Sequence, residues 1–284
     1  MSQIHPTAII ESGAQIANNV TIGPYAIIGK NCVLEDGVTI MGHAYLDGCT
    51  TIGMGTTVFP GAVIGTRPQD LKYKGEKTYV RIGKNCQIRE CVTINSSCGE
   101  GSQVKVGDNC LLMAYCHIAH NCELGNRVIM SNNATLAGHV IVEDCAIIGG
   151  LAAVHQFSRI GCYAMVGGMS RVTHDVPPYT IGAGGPYRFG GLNLVGLKRH
   201  GFQLKTRKLL SQAFRLLYRS NLTLEEALHI TDTTLEKIPE IVHWLEFCRS
   251  SKRGLIATHS KKADGEAEEE SAPAQKVAVS TYTK

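Results

Sequence analysis

From Ile4 onward, every sixth residue is large and aliphatic. The series runs through Ile10, Ile16, Ile22, Ile28, Leu34, Ile40, Leu46, Ile52, Val58 and Ile64. It resumes at Ile82, Ile88 and Ile94, and again from Val106 through Leu112, Ile118, Leu124, Met130 and Leu136 to Val172. Of the 29 positions on this grid, 26 are aliphatic. The exceptions, Asp70, Glu76 and Glu100, mark two polar insertions. A helix repeats at 3.6 residues and a plain strand at 2, so neither produces this period. Four residues after each aliphatic stop comes a small one: Ala8, Ala14, Val20, Ala26, Cys32, then later Cys86, Cys110, Cys116 and Cys122. Gly, Asn or Asp often follows the stop, where a turn belongs.

This pattern predicts a mainly β fold, a hexapeptide parallel β-helix over residues 1–186. Each hexad supplies a short strand and a corner, and three hexads close one triangular coil of about 18 residues. The large aliphatics stack along the axis and the small residues fill the space beside them. After the repeat the pattern becomes helical. "LKTRKLLSQAFRLLYRS" and "IPEIVHWLEFCRSS" space apolar residues at helical intervals, and Thr223 with Glu226 forms a capping-box pattern. We expect an α-helical domain over 187–257 and a disordered tail over 258–284, where "GEAEEESAPAQ" is of low complexity.

Composition changes the picture in two places. Eleven cysteines would suggest disulfides in a secreted chain, but "MSQIHPTAII" has neither a basic region nor a long apolar segment. Reduced thiols in the cytoplasm are expected instead, and no apolar run is long enough for membrane insertion. The net charge of +4 is modest, and nothing points to nucleic acid. Its distribution is uneven: Val176 to Leu224 holds no acidic residue, yet includes Lys198, Arg199, Lys205, Arg207, Lys208, Arg215 and Arg219. That face suits phosphates or an acidic partner.

The stretch "AYCHIAHNCELG" resembles a zinc site until the register is applied. Cys116 and Cys122 fall in the small inward series and are expected as core filler. Strand alternation turns His117 outward, and His120 lies on a corner. Residues 18 apart stack, so Gly138 and Gln156 follow above His120, His139 lies above Asn121, and His155 sits beside Gln156. A histidine is a natural general base for a hydroxyl, and a glycine N–H one coil away can stabilise an oxyanion. Base and oxyanion donor without a nucleophile imply direct acyl transfer.

"AHNCELGNRVIMSNNATLAGHV", "IIGGLAAVHQF" and "QDLKYKGE", with "DVPPYTI" and "GLKRHGF" after the repeat, closely resemble the UDP-N-acetylglucosamine 3-O-acyltransferase family, which begins lipid A biosynthesis. The resemblance implies a left-handed helix and a homotrimer with its sites between chains. It implies transfer of a long acyl group from acyl carrier protein to a UDP-sugar, with the thioester as co-substrate and no cofactor or metal. It assigns the general base to His120 and the oxyanion N–H to Gly138. Asp70, Lys72, His117 and His139 would contact the sugar, with His155 and Gln156 alongside. Asn193 and Arg199 would bind the nucleotide, and Gly168 would limit acyl-chain depth. Two positions depart from the family. Asn121 stands where Asp is common, so an amide can hold the histidine tautomer but cannot stabilise an imidazolium by charge. Replacement by Asp is expected to retain or raise activity. His200 stands for an Arg. The rival readings are a γ-type zinc carbonic anhydrase, which needs three converging histidines, and a non-catalytic scaffold.

Overall fold

A computed structural model describes residues 2–256. Short strands, mostly of two residues, stack into three parallel faces of a prism. The first face begins with Gln3–Ile4, the second with Ile9–Ile10 and the third with Gln15–Ile16. On the first face Gln3 pairs with Thr21, Thr21 with Thr39, and Thr39 with Thr57, a constant step of one 18-residue coil. Thr57 then pairs with Gln87, and Gln87 with Leu111. Those steps of 30 and 24 residues are one coil plus 12 and one coil plus 6. The two insertions therefore lie between Thr66 and Tyr79 and between Asn95 and Gln103, where Asp70, Glu76 and Glu100 break the pattern.

The aliphatic stops from Ile22 to Val172 line the axis, each at most 3% exposed. Ile4, in the first coil, is 47% exposed because no described coil covers it from below. Cys32, Cys86, Cys110, Cys116 and Cys122 are buried beside the stops. Cys116 Sγ donates to the Ser131 carbonyl at 3.1 Å and Cys122 Sγ to that of Ala137 at 3.1 Å. Burial pushes the Cys116 thiol up to about 11 and that of Cys122 up to about 12. Both stay protonated at neutral pH, so they are core filler and neither ligands nor nucleophiles.

Three residues after most stops the chain turns through the left-handed region. Asn19, Asn85, Asn109, Asn121 and Asn133 do so, as do His139 and Phe157. That conformation costs about 1–2 kcal/mol for a residue with a Cβ. Coil-to-coil hydrogen bonds hold it in place: His139 N–H donates to the His120 carbonyl and Phe157 N–H to that of Gly138, at 3.0 and 3.2 Å. Each corner is thereby fixed over the one below.

The helical unit starts later than the pattern predicts. Arg188–Leu192 is a strand, antiparallel to Thr180–Ala183, that extends the first face. Phe189 on this strand packs against both the solenoid core and the helical core. Among the described residues four helices follow: α1 (Leu194–Arg199), α2 (Leu204–Tyr218), α3 (Leu224–Thr234) and α4 (Pro239–Arg249). Leu210, Phe214, Ile241 and Trp244 form their core. The predicted capping box is present at α3, where Thr223 Oγ1 accepts from Glu226 N–H and Glu226 Oε2 accepts from Thr223 N–H. The predicted tail, with Ala257, lies outside the described residues.

Candidate active site

His120 stands on the corner between the second and third faces, its side chain 15% exposed. One coil below, the corner opens into the second insertion, and Asn121 reaches back to it. Asn121 Oδ1 accepts from Cys98 N–H at 3.1 Å, while Asn121 Nδ2 donates to the Cys98 carbonyl at 3.0 Å. This two-way grip fixes which end of the amide is oxygen. The same Oδ1 lies 2.9 Å from His120 Nδ1. Since an amide oxygen only accepts, Nδ1 carries the proton and Nε2 keeps the lone pair. The imidazole is held as a base with Nε2 facing outward.

Nε2 lies 3.6 Å from Asp70 Oδ2, delivered by the first insertion. Lys72 N–H donates to Asp70 Oδ1 at 2.9 Å. This bond, with the nearby His120, holds the Asp70 carboxyl below its usual range. Asp70 therefore supplies the charge that Asn121 lacks: an imidazolium at His120 would face a carboxylate. The Lys72 side chain is exposed.

Gly138 lies directly against the imidazole, and a Cβ there would collide with His120 Cε1 and Nε2. Gly138 is buried, yet its N–H meets no acceptor among the described residues. At the corner between the third and first faces, the equivalent N–H groups of Lys84, Asp108, Asn126 and Cys162 each donate to a side-chain oxygen. The N–H groups of His120 and Gln156, one coil below and one above on the same corner, also have no acceptor among the described residues. Of these, the Gly138 N–H lies against the His120 imidazole and is available to an oxygen from outside the chain.

His139 meets the His120 ring edge-on at 5.2 Å and stacks on Phe157 at 4.6 Å. His117, on the second face, shares a 2.7 Å hydrogen bond between Nδ1 and Thr93 Oγ1. Burial lowers both histidines from the ordinary value, so they are neutral donors or acceptors at neutral pH. His155 and Gln156 are exposed one coil above Gly138, with His155 Nδ1 at 3.1 Å from the Gln156 carbonyl. Beside His139 and Phe157 lies a cleft of about 840 Å³, which also presents Arg159, Lys252 and Arg253. The periodic pattern missed Lys252 and Arg253 because they follow α4, outside the repeat. Phe157 could have been found, since it stands 18 residues above His139.

Three expected residues are elsewhere. Gly168 lies on the corner between the first and second faces, above Gly150, not on the edge that carries His120. Arg199 is exposed at the end of α1, and α1 is anchored at the third corner, where Asn193 Nδ2 donates to the Tyr163 carbonyl at 3.0 Å. Asn193 itself is only 6% exposed. Its Oδ1 accepts from Gly196 N–H at 3.1 Å as the N-cap of α1. Both ends of that amide are engaged within the chain in a capping role, which leaves one Nδ2 hydrogen and one Oδ1 lone pair for a nucleotide contact.

A stacked-coil solenoid with an oriented base and an unpaired N–H beside it, and with the thiols of its inward series buried, has the parts of a hexapeptide-repeat acyltransferase. Comparison with known proteins narrows this. The family model for domain 2 of UDP-N-acetylglucosamine O-acyltransferase matches residues 175–256, and bacterial transferase hexapeptide repeats match 1–36 and 103–138. An acyl-(acyl-carrier-protein)–UDP-N-acetylglucosamine O-acyltransferase of Chlamydia abortus is 52% identical over 93% of this chain and 95% of its own length. The Thermodesulfovibrio yellowstonii enzyme of the same name is 52% identical over 90% and 99%. The solved UDP-N-acetylglucosamine acyltransferase of Bacteroides fragilis is 41% identical, with a TM-score of 0.87 over 89% of this chain and 100% of its own. The chain belongs to the UDP-N-acetylglucosamine O-acyltransferase family and is an O-acyltransferase. The anhydrase and scaffold readings fall with that result.

Proposed function

We propose that this protein transfers a long acyl group from an acyl carrier protein thioester to the 3-hydroxyl of UDP-N-acetylglucosamine. It does so in the cytoplasm as a homotrimer, with no metal or cofactor in the chemical step. The single observation that carries the mechanism is the His120 imidazole, its Nδ1 proton committed to Asn121 and its Nε2 free, lying against the unpaired N–H of Gly138. His120 Nε2 takes the proton as the sugar oxygen attacks the thioester carbonyl. The Gly138 N–H donates to the carbonyl oxygen as it becomes an oxyanion. The new C–O bond forms, the C–S bond breaks, and the imidazolium returns its proton to the departing thiolate. Asp70 stabilises that imidazolium before the return. His117, His139, His155 and Gln156 surround the acceptor, with Lys72 reaching in from the first insertion.

The trimer is argued from incompleteness. His120, Gly168 and Arg199 belong to three different corners of one prism, and a site that uses all three needs a second chain to bring its corner to the first. In that arrangement Arg199 meets the nucleotide phosphates, the basic face of α1 and α2 receives the acidic carrier protein, and Gly168 borders the acyl channel from a neighbouring edge. No helix among the described residues is long and apolar enough to cross a membrane.

The test is product identification. Purified protein, acyl-loaded carrier protein and UDP-N-acetylglucosamine should give one free carrier thiol per sugar ester, with the ester located at the 3-oxygen by NMR. Thioester hydrolysis without sugar acylation, or transfer from coenzyme A alone, would contradict the proposal.

A further inference from the structure

A second constellation lies away from His120, where α4 crosses the corner between the third and first faces. Glu143 and Cys162 sit on successive coils of that corner, and His243 projects from the middle of α4. A carboxylate oxygen of Glu143, Sγ of Cys162 and a ring nitrogen of His243 all lie within 4.8 Å of one another. Glu143 is held on both oxygens. Its Oε2 accepts from Cys162 N–H at 2.8 Å and lies 2.8 Å from His243 Nε2, while Arg159 Nη2 is 3.8 Å from Oε1. The His243 ring is set edge-on between Tyr179 and Phe247, at 6.4 and 6.5 Å. Three elements distant in sequence converge on one point with their donor atoms already oriented.

We propose that Glu143, Cys162 and His243 bind a divalent transition-metal ion of the zinc class, tying α4 to two successive coils. The donor set selects the ion. A thiolate and an imidazole beside one carboxylate suit a borderline metal, whereas magnesium and calcium take oxygen ligands. The spacing is close to what such an ion needs. Tetrahedral bonds of about 2.0–2.3 Å separate donor atoms by roughly 3.3–3.7 Å. The Glu143–His243 pair, at 2.8 Å, must open by under ~1 Å and the other pairs close by at most about 1.5 Å. The fourth position faces a cavity of about 650 Å³ that Glu240, Tyr179 and Phe202 also line. Glu240 is three residues before His243 on α4 and so shares its face, and either its carboxylate or a water completes the shell. Charge balances: the Cys162 thiol proton and the proton between His243 Nε2 and Glu143 leave as one divalent ion enters. The acyl-transfer step does not pass through this ion.

The test uses the full-length protein, stripped by chelator and kept reduced with a phosphine, then titrated with Co²⁺. One equivalent should produce a thiolate-to-cobalt charge-transfer band that one equivalent of Zn²⁺ removes. Cys162→Ser should abolish the band, while Cys91→Ser, at an exposed cysteine elsewhere, should keep it. His243→Gln and Glu143→Gln should weaken Co²⁺ binding at least ~10-fold, and they carry the test if Cys162→Ser does not fold by circular dichroism. Zn²⁺ should raise the unfolding temperature of the parent protein but not of Cys162→Ser. No band in the parent, or an unchanged band in Cys162→Ser or His243→Gln, would overturn the proposal and leave a hydrogen-bonded ion pair only.

Discussion

Asn121 separates the work of an amide from that of a carboxylate bond by bond. Its oxygen accepts from both His120 Nδ1 and Cys98 N–H, and its nitrogen donates to the Cys98 carbonyl. Asn121→Asp keeps the two acceptances but sets a carboxylate oxygen against that carbonyl. The sequence alone suggested that Asp would retain or raise activity. The structure changes this: Asp should keep turnover within about tenfold of the parent while lowering stability by about 1–2 kcal/mol, the cost of one lost and one opposed bond. Asn121→Ala should lose more turnover than Asp, because the tautomer of His120 is then unheld. Steady-state rates and urea unfolding of both variants check the order, and an Asp variant more stable than the parent would refute the clamp. The residues of this site were unequally legible. His120, Gly138 and His139 were readable because they stand in an 18-residue register. Cys98 was not, because it lies in an insertion where the register lapses and no periodicity says what it faces.

Among the elements, the corners and the helix starts carry the most information. Asn before "LVGLKR" is an N-cap signal in its own right, but the family resemblance directed Asn193 to the nucleotide instead. The buried amide, bonded to Gly196 N–H and the Tyr163 carbonyl, gives a clean distinction. Asn193→Ala should cost about 1–2 kcal/mol in urea unfolding with a smaller relative change in KM for the UDP-sugar. A raised KM at unchanged stability would show the nucleotide role to be the larger one. The strand at 188–192 escaped the pattern because "RFGGL" carries two glycines and too few apolar residues to show alternation. Its place is decided by pairing with 180–183, a tertiary contact that local sequence does not encode.

At the scale of the whole molecule, the period in the sequence predicted the prism, its insertions and its core. The shape of the site followed less readily. From His120 to Gly168 is 48 residues, two coils and two-thirds, and that remainder already encodes a change of corner. With His120, Gly168 and Arg199 on separate corners, our central claim is that the His120 of one chain completes its site with another chain and performs the transfer. The measurement is the initial rate of 3-O-acyl product formation by His120→Ala chains, by Arg199→Ala chains, and by the two after subunit exchange. His120→Ala alone should fall at least ~10²-fold, and Arg199→Ala should be impaired through nucleotide binding. Exchange should restore roughly a quarter of parental activity, the share of sites that random pairing in a ring supplies with both residues. Near-normal turnover by His120→Ala, or a mixture no faster than the sum of its parents, would contradict the account.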